Sequence, residues 1–271
     1  DVTALEQAEA MRRDFVANVS HEIRTPLTVP SGFVETLRTL PLNESERSRY
    51  LALMAQQSQR MQTLVHDLLT LSRLEGSPLP GAAVWTPVLP LLEQCLQEAR
   101  TLSATLARSP SAGHDLRLDA PPEPSTVPEI AGAPDELHSA LSNLLNNAVR
   151  YTPAGGAIQI GWQMLADGKA VFSVKDSGPG IAPEHLPRLT ERFYRIDRSR
   201  SRDTGGTGLG LAIVKHVVQR HGAELRINST PGMGSTFSIV FPASRIRRLY
   251  AAAPGQGAAP DAAQSTESLQ K

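Results

Sequence analysis

The segment SHEIRTP at residues 20–26 decides the architecture, together with DSGPG at 176–180 and GGTGLGLAI at 205–213. The first segment places a histidine directly before a carboxylate, so a nucleophile has a proton acceptor beside it. The other two are glycine-rich turns, and glycine lets the backbone approach a ligand closely. Together they predict a nucleophilic histidine on one element and a nucleotide-binding unit further along the chain.

Two long amphipathic helices are predicted around His21. The first covers about residues 5–39, and the second covers about 44–75 with leucines and methionines at heptad-like spacing. At about 100° per residue, the apolar stripe of the first helix centres opposite His21, and Thr25 shares the face of His21 one turn later. Two helices enclose too little core to be stable alone, so we predict a homodimeric four-helix bundle. The stripe consists of Val16, Ile23, Leu27, Val34 and Leu37.

The remainder of the chain is predicted to form an α/β domain with one layer of sheet and helices packed on it. Periodicity predicts helices at about 88–107, 135–151, 183–190 and 208–221. Alternation predicts strands at about 115–119, 158–164, 170–175, 224–229 and 235–241. Loops are expected at 109–114 and 121–128. The predicted domains are a hairpin at 1–76, a linker at 77–87, an α/β domain at 88–243 and a disordered tail at 244–271.

Composition excludes several classes of function. Basic and acidic residues balance at 27 each, so no overall charge favours nucleic acid or an anionic membrane. Cys95 is the single cysteine, which excludes a disulfide framework and a thiolate metal site, and we expect its side chain to be buried. No run of about 18 apolar residues and no signal-peptide core occur, so we expect a cytoplasmic unit.

Two asparagines on the predicted helix in NLLNNAVRYTP, residues 143–153, are candidate metal ligands. Asn143 and Asn147 are four residues apart and present their amide oxygens in one direction, which suits Mg²⁺. The alternative is ordinary surface polarity or local capping.

Asp176 ends a predicted strand directly before the first glycine turn. A carboxylate at this position can accept a hydrogen bond from a donor on a flat ring, and glycines leave room for the ring to insert. As a bare turn the segment would carry no function.

The second glycine turn runs into an apolar helix in GGTGLGLAIVKHVVQRHGA, residues 205–223. Backbone N–H groups at such a helix start form an anion site. The segment lacks the Gly-Lys-Ser/Thr of a Walker loop and does not follow a predicted strand as a dinucleotide fingerprint does. The arginine-rich segment before it, residues 188–203, is expected to be a mobile lid, with nucleic-acid binding as the alternative.

The segment RRDFVANVSHEIRTPLT at 12–28 resembles the phospho-acceptor box of bacterial two-component sensor histidine kinases. The later segments are similar to the asparagine and glycine boxes of that family, in the same order, and residues 190–221 are especially similar to its phosphate-regulon members. The resemblance implies an α+β fold, in which a dimeric helical hairpin precedes an α/β-sandwich ATP-binding domain of the Bergerat type. Pro30 departs from the family pattern, which has an aliphatic residue there.

The resemblance also implies roles for individual residues. His21 would accept the γ-phosphoryl group of ATP, Glu22 would assist proton transfer, and Thr25 would position water when a phosphorylated response regulator is dephosphorylated. Asn143 and Asn147 would hold Mg²⁺ and the triphosphate, and Asp176 would bind the adenine amino group. The remaining expected nucleotide contacts are Arg150, Tyr151, Gly178, Gly180, Arg195, Gly206, Gly208 and Gly210.

The expected partners are a second copy of the chain and the receiver domain of a response regulator. The parent protein would be anchored in the bacterial inner membrane through segments that this chain lacks. Two other functions stay open at this point. A protein that only hydrolyses ATP, like the gyrase B or chaperone relatives, would leave SHEIRTP unused, and a catalytically silent docking module would need neither Asp176 nor the glycine boxes.

Overall fold

The computed structural model describes residues 2–107, 113–119, 126–196 and 206–250. Helix α1 spans Val2–Thr39 and continues through Pro26 and Pro30, so neither proline ends it. Helix α2 spans Glu44–Gly76. Both predicted long helices are therefore present. Among the described residues, none of the helices combines the length and the apolar character needed to cross a membrane.

Helix α2 begins with a capping box. The side chain of Asn43 accepts a hydrogen bond of 2.9 Å from the Glu46 N–H, and the Glu46 carboxylate accepts one of 3.0 Å from the Asn43 N–H. Two of the N–H groups that a helix start leaves without partners are thereby satisfied. This explains why the chain turns sharply after α1 and re-enters a helix at residue 44.

The second half of the chain is an α/β domain with three helices and eight strands among the described residues. The helices are α3 at Val88–Leu106, α4 at Pro134–Tyr151 and α5 at Gly210–Arg220. The first four strands are β1 at Trp85–Pro87, β2 at Asp115–Asp119, β3 at Thr126–Ala131 and β4 at Ala157–Met164. The others are β5 at Ala170–Asp176, β6 at Glu224–Thr230, β7 at Gly234–Phe241 and β8 at Ile246–Tyr250.

The strands form two sheets. One has five strands in the order β2-β4-β5-β7-β6, with β2 and β4 parallel and the other neighbours antiparallel. The other has three antiparallel strands in the order β1-β3-β8. The prediction of a single sheet layer was therefore wrong. The small sheet was missed because its strands are short, and because Pro87 and Pro128 interrupt the pattern that normally signals a strand.

Three predicted boundaries change as a result. The last three residues of the predicted linker form β1, the predicted loop at 121–128 contains the start of β3, and the predicted tail contains β8. The segment predicted as a helix at 183–190 is a 3₁₀ helix at Pro183–Arg188, with Pro187 inside it. The rest of both predicted loops, except Gly113 and His114, and the tail from residue 251 onward lie outside the described residues.

The core lies between the five-stranded sheet and its helices. Alternate residues of β4 and β5 are fully buried, including Ile158, Ile160, Phe172 and Val174, whereas their neighbours are more exposed. Cys95 in α3 is buried as predicted. The same apolar cluster includes Leu64, Leu71 and Leu74 of α2, and α2 contacts α5. The second half of α2 therefore packs on the α/β domain.

Candidate active site

A cavity of about 990 Å³ lies between α2, α4 and the turn that precedes α5. This volume is at the upper end of the range for small-molecule sites. All of the predicted nucleotide contacts except Gly178 line it, and so do Thr63, His66, Asp67 and Thr70 of α2. The folded chain thus brings together residues from 143 to 210 that the sequence analysis assigned to one ligand, and adds a wall from the helical hairpin.

Asp176 marks one end of the cavity. Its side chain lies at the end of β5, is buried, and accepts a hydrogen bond of 2.8 Å from the Gly178 N–H. Burial raises the pKa of this carboxyl group, although the N–H groups of Gly178 and Ser235 act in the opposite direction. A Cβ atom on Gly178 would lie 2.7 Å from Asp176 Oδ1. Gly178 therefore orients the side chain of Asp176, and it does not itself line the cavity.

The polar face of α4 forms one wall. Asn143, Asn146, Asn147 and Arg150 are partly buried and all line the cavity. The amide of Asn143 donates a hydrogen bond of 2.8 Å to the Ser139 carbonyl, which directs Oδ1 towards the start of α5. The carbonyl oxygens of such amides suit a hard cation, provided that other oxygens complete its coordination.

No cluster of three or more carboxylate, histidine or cysteine side chains within the described ranges could hold a metal ion by itself. Mg²⁺ is commonly bound through one or two protein side chains together with phosphate oxygens. Asn143 and Asn147 therefore fit a magnesium ion that arrives with a nucleotide, and they do not fit a resident metal centre.

The turn at residues 206–210 forms the opposite wall. Gly208 has φ of +76°, and a Cβ atom there would lie 2.9 Å from Phe193 Cα, so both the backbone conformation and the packing require glycine. The Phe193 N–H donates a hydrogen bond of 2.8 Å to the Gly208 carbonyl. Helix α5 begins at Gly210, and the N–H groups of its first turn are free of intrahelical partners. The geometry of this wall therefore suits an anion.

Gly180 has a structural function. Its φ is +69°, and a Cβ atom there would lie 2.0 Å from the Thr230 carbonyl oxygen. Glycine is therefore required for the turn after β5 to pack on the end of β6. The prediction that it simply leaves room for a flat ring does not describe this contact.

Asp67 of α2 reaches into the cavity from the helical hairpin. Its Oδ2 accepts a hydrogen bond of 2.6 Å from Thr207 Oγ1, and both side chains are buried. Thr207 Oγ1 in turn accepts a hydrogen bond of 3.2 Å from the Leu209 N–H. Burial raises the pKa of Asp67, while His66 and Arg150 favour its charged form. This pair was not predicted from the sequence.

A signal for Asp67 does exist in the sequence. The buried residues of α2 are Leu64, Asp67, Leu71 and Leu74, which follow the spacing of an apolar stripe. An aspartate within such a stripe indicates a buried polar partner.

The segment that contains His21 and Glu22 lies at the edge of the cavity. The side chain of His21 is exposed, as predicted, and does not line the cavity. Glu22 Oε2 lies 3.2 Å from Arg60 Nη2 and 3.8 Å from Arg195 Nη1. Arg195 lines the cavity and also donates to the Gly206 carbonyl. The side chain of Thr25 lies outside the described residues.

Two arginines of the α/β domain hold the linker after α2. Arg220 donates to the carbonyls of Leu74, Ser77 and Pro78 at 2.8, 2.9 and 2.7 Å. Its Nε and Nη2 each donate a hydrogen bond of 2.9 Å to the carboxylate of Glu136. Arg245 donates to the carbonyls of Pro80, Gly81 and Ala131 at 3.1, 3.3 and 3.2 Å. Because four linker carbonyls are engaged, those of Ser77, Pro78, Pro80 and Gly81, the predicted linker is ordered against the domain. Neither arginine was predicted from the sequence to have this function.

Two family profiles match the two halves of the chain. Residues 11–77 match the His Kinase A (phospho-acceptor) domain. Residues 132–245 match the histidine kinase-, DNA gyrase B-, and HSP90-like ATPase. The chain belongs to the sensor histidine kinases. The predicted combination of a helical hairpin and an α/β-sandwich ATP-binding domain is confirmed, and so is the assignment as a protein-histidine kinase.

Individual relatives support this placement. The chain is 49% identical over 255 residues to the phosphate regulon sensor protein PhoR of Pseudomonas aeruginosa, and this alignment covers 94% of this chain and 55% of that protein. It is 37% identical over 234 residues to the sensor-like histidine kinase SenX3 of Mycolicibacterium smegmatis, and this alignment covers 86% of this chain and 58% of that protein. The histidine kinase chain thus spans little more than half the length of these relatives.

Solved structures agree with the fold. Full-length ShkA in complex with AMPPNP superposes with a TM-score of 0.57 and 29% identity, over 90% of this chain and 47% of that one. The Acinetobacter baumannii histidine kinase AdeS superposes with a TM-score of 0.60 over 82% of this chain and 98% of that one. At 23% identity, the second comparison shows the fold alone.

Proposed function

We propose that this histidine kinase binds Mg-ATP in the cavity, transfers the γ-phosphoryl group to His21 and passes it to an aspartate of a response regulator. The observation that carries the proposal is the arrangement of the cavity. A buried carboxylate, Asp176, stands at one end, and the amides of α4 face the helix start of α5 across it. This arrangement suits a ligand with a flat amino-bearing ring and a polyanionic tail.

Each wall would bind a different part of the nucleotide. Asp176 would accept a hydrogen bond from the adenine amino group, and its fixed orientation by Gly178 gives that contact direction. Gly206, Gly208 and Gly210 would surround the phosphates with backbone N–H groups. Arg150 and Arg195 would add positive charge along the triphosphate, and Tyr151 would line the nucleotide. Mg²⁺, held by Asn143 and Asn147 together with phosphate oxygens, would neutralise charge that develops on the transferring group.

The proposed transfer uses neutral His21. One ring nitrogen attacks the γ-phosphorus, the bond from phosphorus to the bridging oxygen of the β-phosphate breaks, and ADP leaves with that electron pair. The proton on the other ring nitrogen passes to the carboxylate of Glu22. Because His21 lies outside the cavity, the α/β domain must move relative to the hairpin before the reacting atoms align.

The helical hairpin would supply the remaining functions. It would form a homodimer through its apolar stripe and bind the receiver domain of the response regulator. Thr25 would position water when the phosphorylated regulator is dephosphorylated. The names of PhoR and its relatives support a role in phosphate-regulon signalling. We propose that the whole protein acts at the membrane, with this portion in the cytoplasm.

The first test is incubation of the purified chain with γ-³²P-ATP and Mg²⁺. We expect protein-bound label that is lost in acid, stable in base and absent from His21→Gln. His216→Gln is the matched control, because His216 lies on α5 outside the cavity, and it should be labelled like the wild-type chain. ATP hydrolysis without label would favour a simple ATPase. Label that persists in His21→Gln would contradict the assignment of the acceptor.

Three further measurements test the partners and the other residues. Asp176→Asn should bind ATP weakly and should not label. Transfer of the label to a purified receiver domain tests the response regulator as partner. Thr25→Ala should label normally and lose only the dephosphorylation of the regulator.

A further inference from the structure

The carboxylate of Glu22 lies between two arginines that belong to different parts of the molecule. Arg60 comes from α2 of the same hairpin, and its Nη2 lies 3.2 Å from Glu22 Oε2. Arg195 comes from the wall of the nucleotide cavity, and its Nη1 lies 3.8 Å from the same oxygen. The side chain of Arg60 is 11% exposed and that of Arg195 is 7% exposed, so neither belongs to an ordinary surface ion pair.

The two arginines differ in what happens when the domains move. Arg60 and Glu22 lie on the two helices of one hairpin, so their hydrogen bond persists when the α/β domain changes position. Arg195 is bonded to the Gly206 carbonyl and moves with the nucleotide cavity. Once Arg195 leaves Glu22 for a phosphate oxygen, Arg60 is the arginine that still compensates the carboxylate.

We propose that Arg60 is a positioning residue for phosphoryl transfer, which acts by holding the carboxylate of Glu22 in a fixed orientation beside His21. The proposal rests on the proposed function of His21 as the phosphoryl acceptor. In the described part of the chain, both arginine contacts of Glu22 use Oε2, and this leaves Oε1 to receive the imidazole proton.

The chemistry explains why an arginine is useful at this position. As one ring nitrogen of His21 attacks phosphorus, positive charge develops on the imidazole. An ionised carboxylate in a fixed position selects the reactive tautomer, stabilises that charge and then takes the proton from the other nitrogen. Without Arg60, the carboxylate of Glu22 would rotate towards solvent while the α/β domain is apart from it. When the α/β domain closed over it, the carboxylate would lose its water without a cation to compensate its charge.

The test is single-turnover labelling of the full chain with γ-³²P-ATP at increasing ATP concentrations, for Arg60→Met, Arg60→Lys and a control. Arg49→Met is the matched control, because Arg49 is an exposed arginine on the same helix. We expect Arg60→Met to lower the maximal rate by about tenfold to 100-fold, while half-saturation by ATP stays within about twofold. Arg60→Lys should recover most of the rate, and Arg49→Met should match the wild-type chain.

A double-mutant cycle shows whether Arg60 acts through Glu22. If it does, Arg60→Met combined with Glu22→Gln should label no more slowly than Glu22→Gln alone. Additive losses in the double variant would overturn the proposal. A wild-type rate in Arg60→Met would overturn it too, and so would a loss that Arg60→Lys fails to rescue while the thermal midpoint falls.

These outcomes are distinguishable from failure of the proposed function. Label that persists in His21→Gln would show that His21 is not the acceptor, and the function proposed for Arg60 would then fail with it. Absence of label in His21→Gln, together with full label in Arg60→Met, leaves the kinase assignment intact and overturns the function of Arg60 alone.

Discussion

The helical hairpin and the α/β domain differ in how much apolar surface each buries within one chain. The domain encloses a continuous core in which Phe172 and Phe241 are fully buried. The hairpin leaves part of the stripe of α1 open, with Leu27 50% exposed and Val34 41% exposed, while Ile23 and Leu37 are half-buried. Leucine and valine are normally buried at such spacing. The difference supports the proposed homodimer, in which a second copy would cover the exposed part of this stripe.

The contact between the helical hairpin and the α/β domain differs from the domain core, because buried polar side chains contribute to it. It contains a buried hydrogen bond between Asp67 and Thr207 and the hydrogen bond from Arg220 to the Leu74 carbonyl, beside the apolar packing of Leu64, Leu71 and Leu74 on the domain. Buried polar contacts are directional and can be exchanged for others, while an apolar core cannot be opened without a large loss of free energy. The polar part of this contact can therefore be exchanged when the domain moves, whereas the leucines of α2 must be separated from the apolar cluster at a cost in free energy.

The largest expected effect is on the free energy of unfolding of the α/β domain, measured separately from that of the hairpin. Phe172 lies at the centre of β5, between Trp162 of β4 and Ile239 of β7. Phe172→Ala should lower the free energy of unfolding of the α/β domain by about 3–5 kcal/mol, because it leaves a cavity in the core. The chain has two tryptophans, Trp85 and Trp162, and both lie in this domain. Tryptophan fluorescence therefore reports the domain during denaturation, and far-UV circular dichroism includes the hairpin.

The dimer should survive this substitution. Light scattering on Phe172→Ala after the fluorescence transition should still give the mass of two chains. One coincident transition with dissociation would show instead that the hairpin depends on the domain.

The second prediction concerns the open stripe of α1. Leu27→Asp combined with Val34→Asp should weaken dimerisation by at least about tenfold, since burying one such side chain contributes about 1.5–3 kcal/mol. Sedimentation equilibrium measures the dissociation constant. Met233→Asp is the control, because Met233 is 79% exposed at the turn between β6 and β7. A dimer of unchanged affinity in the double variant would place the interface elsewhere.

The third prediction concerns the contact between the regions. Asp67→Asn keeps the hydrogen bond to Thr207 but removes a negative charge from the wall that faces the proposed triphosphate. We expect ATP to bind about tenfold more tightly, because a carboxylate in a partly dehydrated cavity repels phosphate. Calorimetric titration with ATP and Mg²⁺ measures the change. Asp167→Asn, on the exposed turn between β4 and β5, should leave the affinity unchanged. Weaker binding in Asp67→Asn would mean that the charged carboxylate supports the site.

The features that the sequence predicted are those with a local signal. Helices α1 to α4 and the strands of the larger sheet follow clear periodicity, and the turn at Gly208 needs glycine for reasons confined to a few residues. Strand β3 has no such pattern, because it contains Pro128 and is completed by β8 more than a hundred residues later. Asp67 and Arg220 were missed for the same reason, since each has partners about 140 residues away along the chain.

The smallest expected effect is a dependence of the free energy of unfolding on pH, which arises from the histidine next to Arg220. His221 is fully buried, and its Nδ1 lies 2.8 Å from the Val217 carbonyl and 3.9 Å from Glu136 Oε2. Burial lowers its pKa below the ordinary value of 6.5, and the charges of Arg245 and Arg220 act in the same direction, while Glu136 opposes them. The folded chain thus holds His221 neutral at a pH where the unfolded chain binds a proton.

The sign of the pH effect follows from this difference. The stability contributed by neutral His221 is fully present above the unfolded pKa and is lost as pH falls towards the folded pKa. As pH falls below about 6.5, this residue should lower the free energy of unfolding, by at most about 1.4 kcal/mol per pH unit. Urea denaturation of the wild-type chain and His221→Gln over this range isolates the contribution, because the variant should have a shallower dependence on pH. Parallel curves would show that His221 is not the responsible group, and that His216, whose pKa burial also lowers, should be substituted next.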